Sequence, residues 1–389
     1  MRDALWSYHE AVFMLFDIYA ALGGDSVHEM SLNEWNELVR DFGLADNASK
    51  YCKKADLDRL FIAVDAVSEG TDYGKDKSLN RIEFITAMVC LAVLAQCPHH
   101  CMRALSSLLV VTACHDCLSC IVCGVQVRLA VLKYVKPGTI PDVSEAVEAL
   151  FERDIAPQLD PTIFNSPDDF RRDYLYSAEI STVLLKHETS LRVLFNSISR
   201  IAKPSGSKKL GLLLGVGEWK GLVRRLELID HDLTDRDCTL CFICSRMKVI
   251  DGGSDKGFVK ESSLPFEGFL EAICRAALLK AWPTPAEVEE SGLADAGEFV
   301  RFLRRDDPAR HKAMCEERAV VWGALPSTPP PECIENMISL LIQIIEEQLY
   351  GETASKTKNK KKGLGADMQL STNEMAKWNT LWKEAGGFA

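Results

Sequence analysis

The chain is poor in strand signal. Apolar and polar residues almost never alternate along it, which removes sandwiches, barrels and sheet-centred folds and leaves an all-α reading. It also lacks a long apolar run. The most apolar stretch, Ala104–Ala113, falls well short of the ~20 residues that a spanning helix needs, so no membrane partner is expected. Positive charge is in deficit: 45 Lys and Arg face 56 Asp and Glu, a net charge of −11. That balance argues against general binding to a nucleic-acid backbone. Met1-Arg2-Asp3-Ala4-Leu5-Trp6 carries no secretory pattern, so the 14 cysteines are expected as thiols in a reducing compartment. Catalytic groupings are missing too. The histidines are scattered except in one segment, and no local Ser/His/Asp or Cys/His set stands out. Gly215-x-Gly217-x-x-x-Gly221 lacks dinucleotide-loop spacing. Asp168-Asp169 and Glu289-Glu290 read as solvated faces. No enzyme is expected.

What the chain does have is a repeated phrase. Met30-Ser31-Leu32-Asn33-Glu34-Trp35-Asn36-Glu37-Leu38-Val39-Arg40 returns as Leu214-Gly215-Val216-Gly217-Glu218-Trp219-Lys220-Gly221-Leu222-Val223-Arg224. A second phrase follows in the same order: Ser78-Leu79 with Phe84-Ile85-Thr86-Ala87, then Ser263-Leu264 with Phe269-Leu270-Glu271-Ala272. Ordered recurrence of this kind reads as an internal duplication. Trp35, Leu38, Val39 and Phe42, like Trp219, Leu222, Val223 and Leu226, follow helical spacing. Ser31-x-x-Glu34 is a capping box, and Gly215 makes a weaker cap in the copy.

Each copy is expected to hold four helices. These are His9–Tyr19, Leu32–Gly43, Ala55–Val67 and Asn80–Val89, then Ile180–Ser199, Val216–Leu228, Asp235–Val249 and Pro265–Leu279. The loops between them are rich in Gly, Asp and Ser. Residues 1–136 form the first lobe, 137–176 a connector with one helix at Ser144–Arg153, and 177–283 the second lobe. That connector helix reads equally well as a fifth helix packed on the first lobe. A helical extension follows at 284–350, opened by Thr284-Pro285-Ala286-Glu287. Residues 351–389 are a basic linker and a last helix starting at Ser371-x-x-Glu374.

The repeat also exposes a break. Phe269 runs on through Arg275 and Lys280 to Pro283, whereas Phe84-Ile85-Thr86-Ala87-Met88-Val89 resumes its match only at Arg128, Lys133 and Pro137. Residues 90–127 are therefore read as an insertion splitting the first lobe's last helix. It carries Cys97, Cys101, Cys114, Cys117, Cys120 and Cys123, with His99, His100 and His115 among them. Thiols at such spacing fit zinc or an iron–sulfur cluster. The competing reading is a poorly ordered insert, with retained intron sequence as its source, since the segment has neither helical nor strand period. Cys238, Cys241 and Cys244, three apart on a helix, diverge too far to close one metal site.

The four helix–loop–helix units resemble EF-hands. The family's loop has an apolar residue at its eighth position, glutamate at its twelfth and an aromatic next. Met30, Glu34 and Trp35 fit this, as do Leu79, Glu83 and Phe84, and Leu214, Glu218 and Trp219. In the fourth unit Leu264 and Phe269 fit with one shift, and Gly268 replaces the glutamate. The resemblance implies two EF-hand-like lobes with degenerate loops. Calcium needs six to eight oxygens, and only the second loop comes near, with Asp72, Asp76, Asn80 and Glu83. Gly74 and Lys77 stand there where a ligand and the turn glycine belong. No cofactor is expected beyond calcium at that loop. Ser78–Phe84, Phe170–Tyr176 and Ser245–Met247 are similar to phrases in EF-hand-like axonemal proteins of flagellated protists. The likeness implies a scaffold of the ciliary axoneme with tubulin or axonemal proteins as partners. A calcium-responsive regulator using the Asp72–Glu83 loop is the alternative.

The extension supplies the expected partner-binding face. Ile334, Met337, Ile338, Leu341 and Ile345 make an apolar helical stripe, and Trp378 and Trp382 lie four apart on the last helix. Such a stripe fits a foreign groove or this chain's own lobes.

Overall fold

A computed structural model describes residues 8–23, 26–65, 77–89, 131–158, 167–201, 211–249, 254–324, 326–351 and 369–384. The structure is 70% helical and 3% strand, which makes it all-α. It divides into two compact units, Met1–Phe164 and Asn165–Ala389.

In the first unit α1 is His9–Leu22, α2 Leu32–Asp41, α3 Lys54–Asp65 and α4 Arg81–Val89. A π-helical turn at Val131–Val135 follows, then α5, Val143–Ala149, which continues as a π-helical turn over Leu150–Ile155. Two two-residue strands, β1 (Met30–Ser31) and β2 (Ser78–Leu79), pair antiparallel with Met30 opposite Leu79. The core gathers Phe16 from α1, Trp35 and Leu38 from α2, Phe61 from α3 and Phe84 from α4, all buried. Trp35 meets Phe84 edge-on at 6.2 Å and 80°, a geometry that the ring quadrupoles favour.

The second unit begins with α6 (Pro167–Phe170), which runs into a π-helical turn at Arg171–Leu175, and α7 (Ala178–Ile198). Strands β3 (Arg200–Ile201) and β4 (Leu212–Leu213) pair antiparallel. Helices α8 (Val216–Arg225), α9 (Asp235–Cys244), α10 (Asp255–Glu261) and α11 (Phe266–Leu279) follow. Leu214 and Leu264 exchange backbone hydrogen bonds of 2.9 and 2.8 Å. Trp219 meets Phe269 edge-on at 6.5 Å and 82°. Then come α12 (Pro285–Ser291), α13 (Ala296–Asp306), α14 (Pro308–Arg318), α15 (Pro330–Tyr350) and α16 (Thr372–Glu384).

Helix starts follow the caps read in sequence. Ser31 and Thr284 each accept from a backbone N–H in the first turn of their helix and donate their own backbone N–H to the glutamate three residues on. Thr234, a cap not read in sequence, does the same with Asp237. The turn after α2 needs a left-handed residue, supplied by Gly43 at φ 55°. Glu227 holds φ 51° after α8 without a glycine's freedom.

The expected connector 137–176 is not a separate segment. Its first part belongs to the first unit: Phe151 stacks on Tyr8 at 4.5 Å, and Asp154 accepts from Lys133 (2.7 Å) and Tyr134 (2.6 Å). Its last part belongs to the second. Arg171 donates to Glu271 (2.9 Å) and to the carbonyl of Arg246 (3.2 Å). Arg275 lies over the Phe170 ring at 4.1 Å.

The two core tryptophans differ in one respect. Trp219 Nε1 donates to the Cys238 carbonyl at 2.8 Å, while Trp35 Nε1 is buried with no hydrogen-bond partner. Trp219→Phe should therefore cost about 1 kcal/mol more than Trp35→Phe. Urea unfolding of the two variants checks this, and an equal cost would count against the Cys238 bond.

Candidate functional site

The loop glutamates are the natural place to look for a ligand site, and they are already engaged. Glu34, Glu83 and Glu218 each reach back to the backbone N–H that opens their helix. Ser31 N donates to Glu34 at 2.6 Å, Asn80 N to Glu83 at 2.7 Å and Gly215 N to Glu218 at 3.0 Å. A carboxylate there satisfies an orphan donor and sits well in the helix dipole. The other oxygen of Glu218 faces Arg200 at 2.5 Å. A side chain on Gly23 would collide with the Glu34 carboxylate.

Asn80 is the cap of α4, its Oδ1 accepting from the backbone of Ile82 (2.9 Å) and Glu83 (3.0 Å). Asp72 and Asp76 lie outside the described residues, as do Cys97, Cys101, Cys114, Cys117, Cys120 and Cys123. Among the described residues no group of three or more His, Cys, Asp or Glu is placed to hold a metal ion. In the fourth unit a Cβ on Gly268 would stand 3.0 Å from the Ser245 carbonyl. That close approach leaves little room for a side chain at this position.

The structure also assembles a polar cluster that sequence spacing did not reveal. Lys280 Nζ lies 3.0 Å from both oxygens of Asp232, with both side chains out of solvent. Arg304 pairs with Asp230 at 2.8 Å. His311 Nδ1 is 3.8 Å from Asp230, and its Nε2 is 3.6 Å from Cys315 Sγ. The order Asp, His, Cys invites comparison with a nucleophilic triad. Burial pushes the Cys315 thiol up to about 12 and holds His311 below its ordinary value. A reactive cysteine needs the opposite: a lowered pKa and access. Cys315 is 0% exposed. The cluster joins α13 and α14 to the loop after α8 as packed interior.

The helical extension corrects an expectation. Ile334, Met337, Ile338, Leu341 and Ile345 are all buried, and so are Leu340, Ile342 and Ile344 on the flanks of the stripe and Gln343 on the face opposite it. The helix packs against α7, α11 and α13. Met337 and Leu341 face Trp219, Leu222, Ile273 and Ala276 around a void of only about 10 Å³, too small for more than a water. The stripe is thus covered by the chain's own lobe. Periodicity located the apolar face correctly, but period alone does not say which surface covers it. Trp378 is likewise buried. Trp382 lies in α16, with its side chain outside the described residues.

Two acids hold the extension in place. A hydrogen bond from Arg318 (2.8 Å) lowers Glu287 to about 2. A bond to His187 (2.9 Å), with Lys186 also donating, lowers Glu335 to about 2. Both folded values lie below the ordinary 4.5, so their contribution is present above pH 4.5 and is lost as pH falls toward 2. Glu287→Gln with Glu335→Gln should flatten the acid limb of the stability curve between those values. A limb of unchanged slope would show that other groups set it.

No protein-family profile matches the chain, and no curated protein or solved structure does either. The class rests on the fold itself: an all-α protein of two helical units.

Proposed function

We propose that this is a non-enzymatic structural protein whose units are EF-hand-like lobes, each a pair of degenerate helix–loop–helix elements that binds partner proteins without calcium. The observation that carries the reading is the use of Glu34, Glu83 and Glu218 as helix caps. A bidentate calcium ligand has to leave that role. Other geometry supports paired loops in each lobe. Met30 pairs with Leu79, and Leu214 with Leu264, at the apolar eighth positions. An edge-on Trp–Phe contact and a left-handed turn recur at matching places, as a duplication requires.

The setting we infer is a cytoskeletal assembly, the ciliary or flagellar axoneme, with tubulin or axonemal proteins as partners. It rests on the phrases that resemble axonemal EF-hand-like proteins. The partners meet the outer faces of the lobes, since α15 already fills the interior of the second. No helix of the described residues is long and apolar enough to cross a membrane, and the acidic balance disfavours nucleic acid.

Calorimetry with calcium tests the first half. Micromolar binding with a conformational change would move the reading to a regulator acting through the Asp72–Glu83 loop. Tagging the protein in a ciliated cell tests the second half. Recovery wholly in the soluble fraction, away from microtubules, would remove the axonemal setting.

A further inference from the structure

The C-terminal helix is held by a narrow strip. Of residues 369–381 only Leu370, Met375 and Trp378 are buried. Trp378 enters a seat made by three other helices. Its Nε1 donates to Gln348 at 2.7 Å, and the Arg225 guanidinium lies over its ring and donates to its carbonyl. Arg225 also donates to Asn379 at 3.1 Å. Asn379 in turn donates to the Ser197 carbonyl at 2.8 Å, and Leu370 N to Ser190 at 2.9 Å. Beside these anchors a cleft of about 240 Å³ separates α7 from α16, bounded by Val193, Asn196, Met375 and Ala376.

The seat is specific, but the interface is small. A helix of 13 residues is marginal in water on its own, so docking must offset the ordering of α16 with three apolar side chains and a few polar anchors. The cleft shows that the packing is incomplete along one flank. Gly351 and Gln369 are 18 positions apart in the sequence, which limits their separation to roughly 60 Å, a reach that admits a neighbouring molecule.

We propose that this seat is an exchange site: the C-terminal helix of a second copy docks in it when the chain's own helix is out. The one sequence that demonstrably fits the seat is 369–384, and every copy carries it. Exchange of an identical element costs little, because the seat makes the same bonds whichever copy supplies the helix. Because it belongs to the same chain, the chain's own helix competes for the seat at an effective concentration of about the millimolar range. Copies therefore link where they are crowded to that density, as in an ordered array, and stay single when dilute. The exchange does not depend on calcium or on the identity of any foreign partner.

Complementation between two full-length variants tests it. Trp378→Ala has a sound seat and a defective helix. Gln348→Lys has a defective seat and a sound helix, and its substitution lies on an exposed position. Each alone should sediment as a monomer, and their mixture should give a species of twice the mass. A labelled peptide of residues 369–384 should bind the Trp378→Ala chain at least about tenfold more tightly than the wild type, whose seat is occupied. Arg225→Glu serves as a second defective seat, and truncation after Gly351 as a second helix-less chain. If natively folded pairs stay monomeric and the peptide binds neither chain, or both equally, the exchange site is overturned.

Discussion

Lys280→Met is expected to lower the stability of the second unit by about 3–5 kcal/mol, the usual cost of removing one partner from a buried ion pair. Both side chains are out of solvent, so the Asp232 carboxylate would keep only the Ala281 N–H, at 2.9 Å. No water can replace the ammonium without opening the packing between the loop after α8 and the end of α11. That loss is a large share of a stability of about 5–15 kcal/mol typical of a domain. Asp232→Asn should cost a comparable amount by stranding the ammonium instead. The paired replacement Asp232→Leu with Lys280→Met should recover most of the loss, because an apolar pair avoids desolvating two charges. Denaturant unfolding of the two single variants and the double one gives the coupling directly. Single variants as mild as the double would mean that water reaches the pair.

Much of this architecture could be read from the chain, because the signals were local. Capping boxes at Ser31 and Thr284 marked helix starts to within a residue. The stripes of α2 and α8 named their buried residues, Trp35 and Trp219 among them. Two helices escaped notice for a physical reason. Asp255–Glu261 and Pro167–Phe170 are only one to two turns long, too short to show a period, and tertiary bonds do the fixing around them. Arg171, for example, is held by Glu271, far along the chain. The same limit hid the polar cluster. Asp230, Asp232, Lys280, Arg304, His311 and Cys315 come from four separate segments, and no spacing rule links them. Asn80 reads in sequence as an oxygen ligand and not as a cap, the use the structure shows for its Oδ1, because its residue type alone does not distinguish the two.

The second unit should also fail cooperatively when α15 is made polar. Ile338→Asp places a carboxylate at a fully buried position on a helix packed on two sides. The substitution loses the packing of an isoleucine, about 2–5 kcal/mol for large-to-small changes. It adds the cost of burying a charge. A sum above about 4–5 kcal/mol is exceptional for one residue, so the unit's unfolding transition should move below physiological temperature or vanish. Ile82→Asp is the control: Ile82 is equally apolar but 72% exposed, and its replacement should stay within about 0.5 kcal/mol. Circular dichroism melts of both variants decide between two roles for α15. An interior helix takes the lobe down with it. A helix whose stripe serves a foreign groove would leave the Ile338→Asp melt near that of wild type while partner capture fails. The burial of Leu340, Ile342 and Ile344 on the flanks of the stripe, and of Gln343 on the face opposite it, favours the first outcome, because a displaceable helix keeps one face in water.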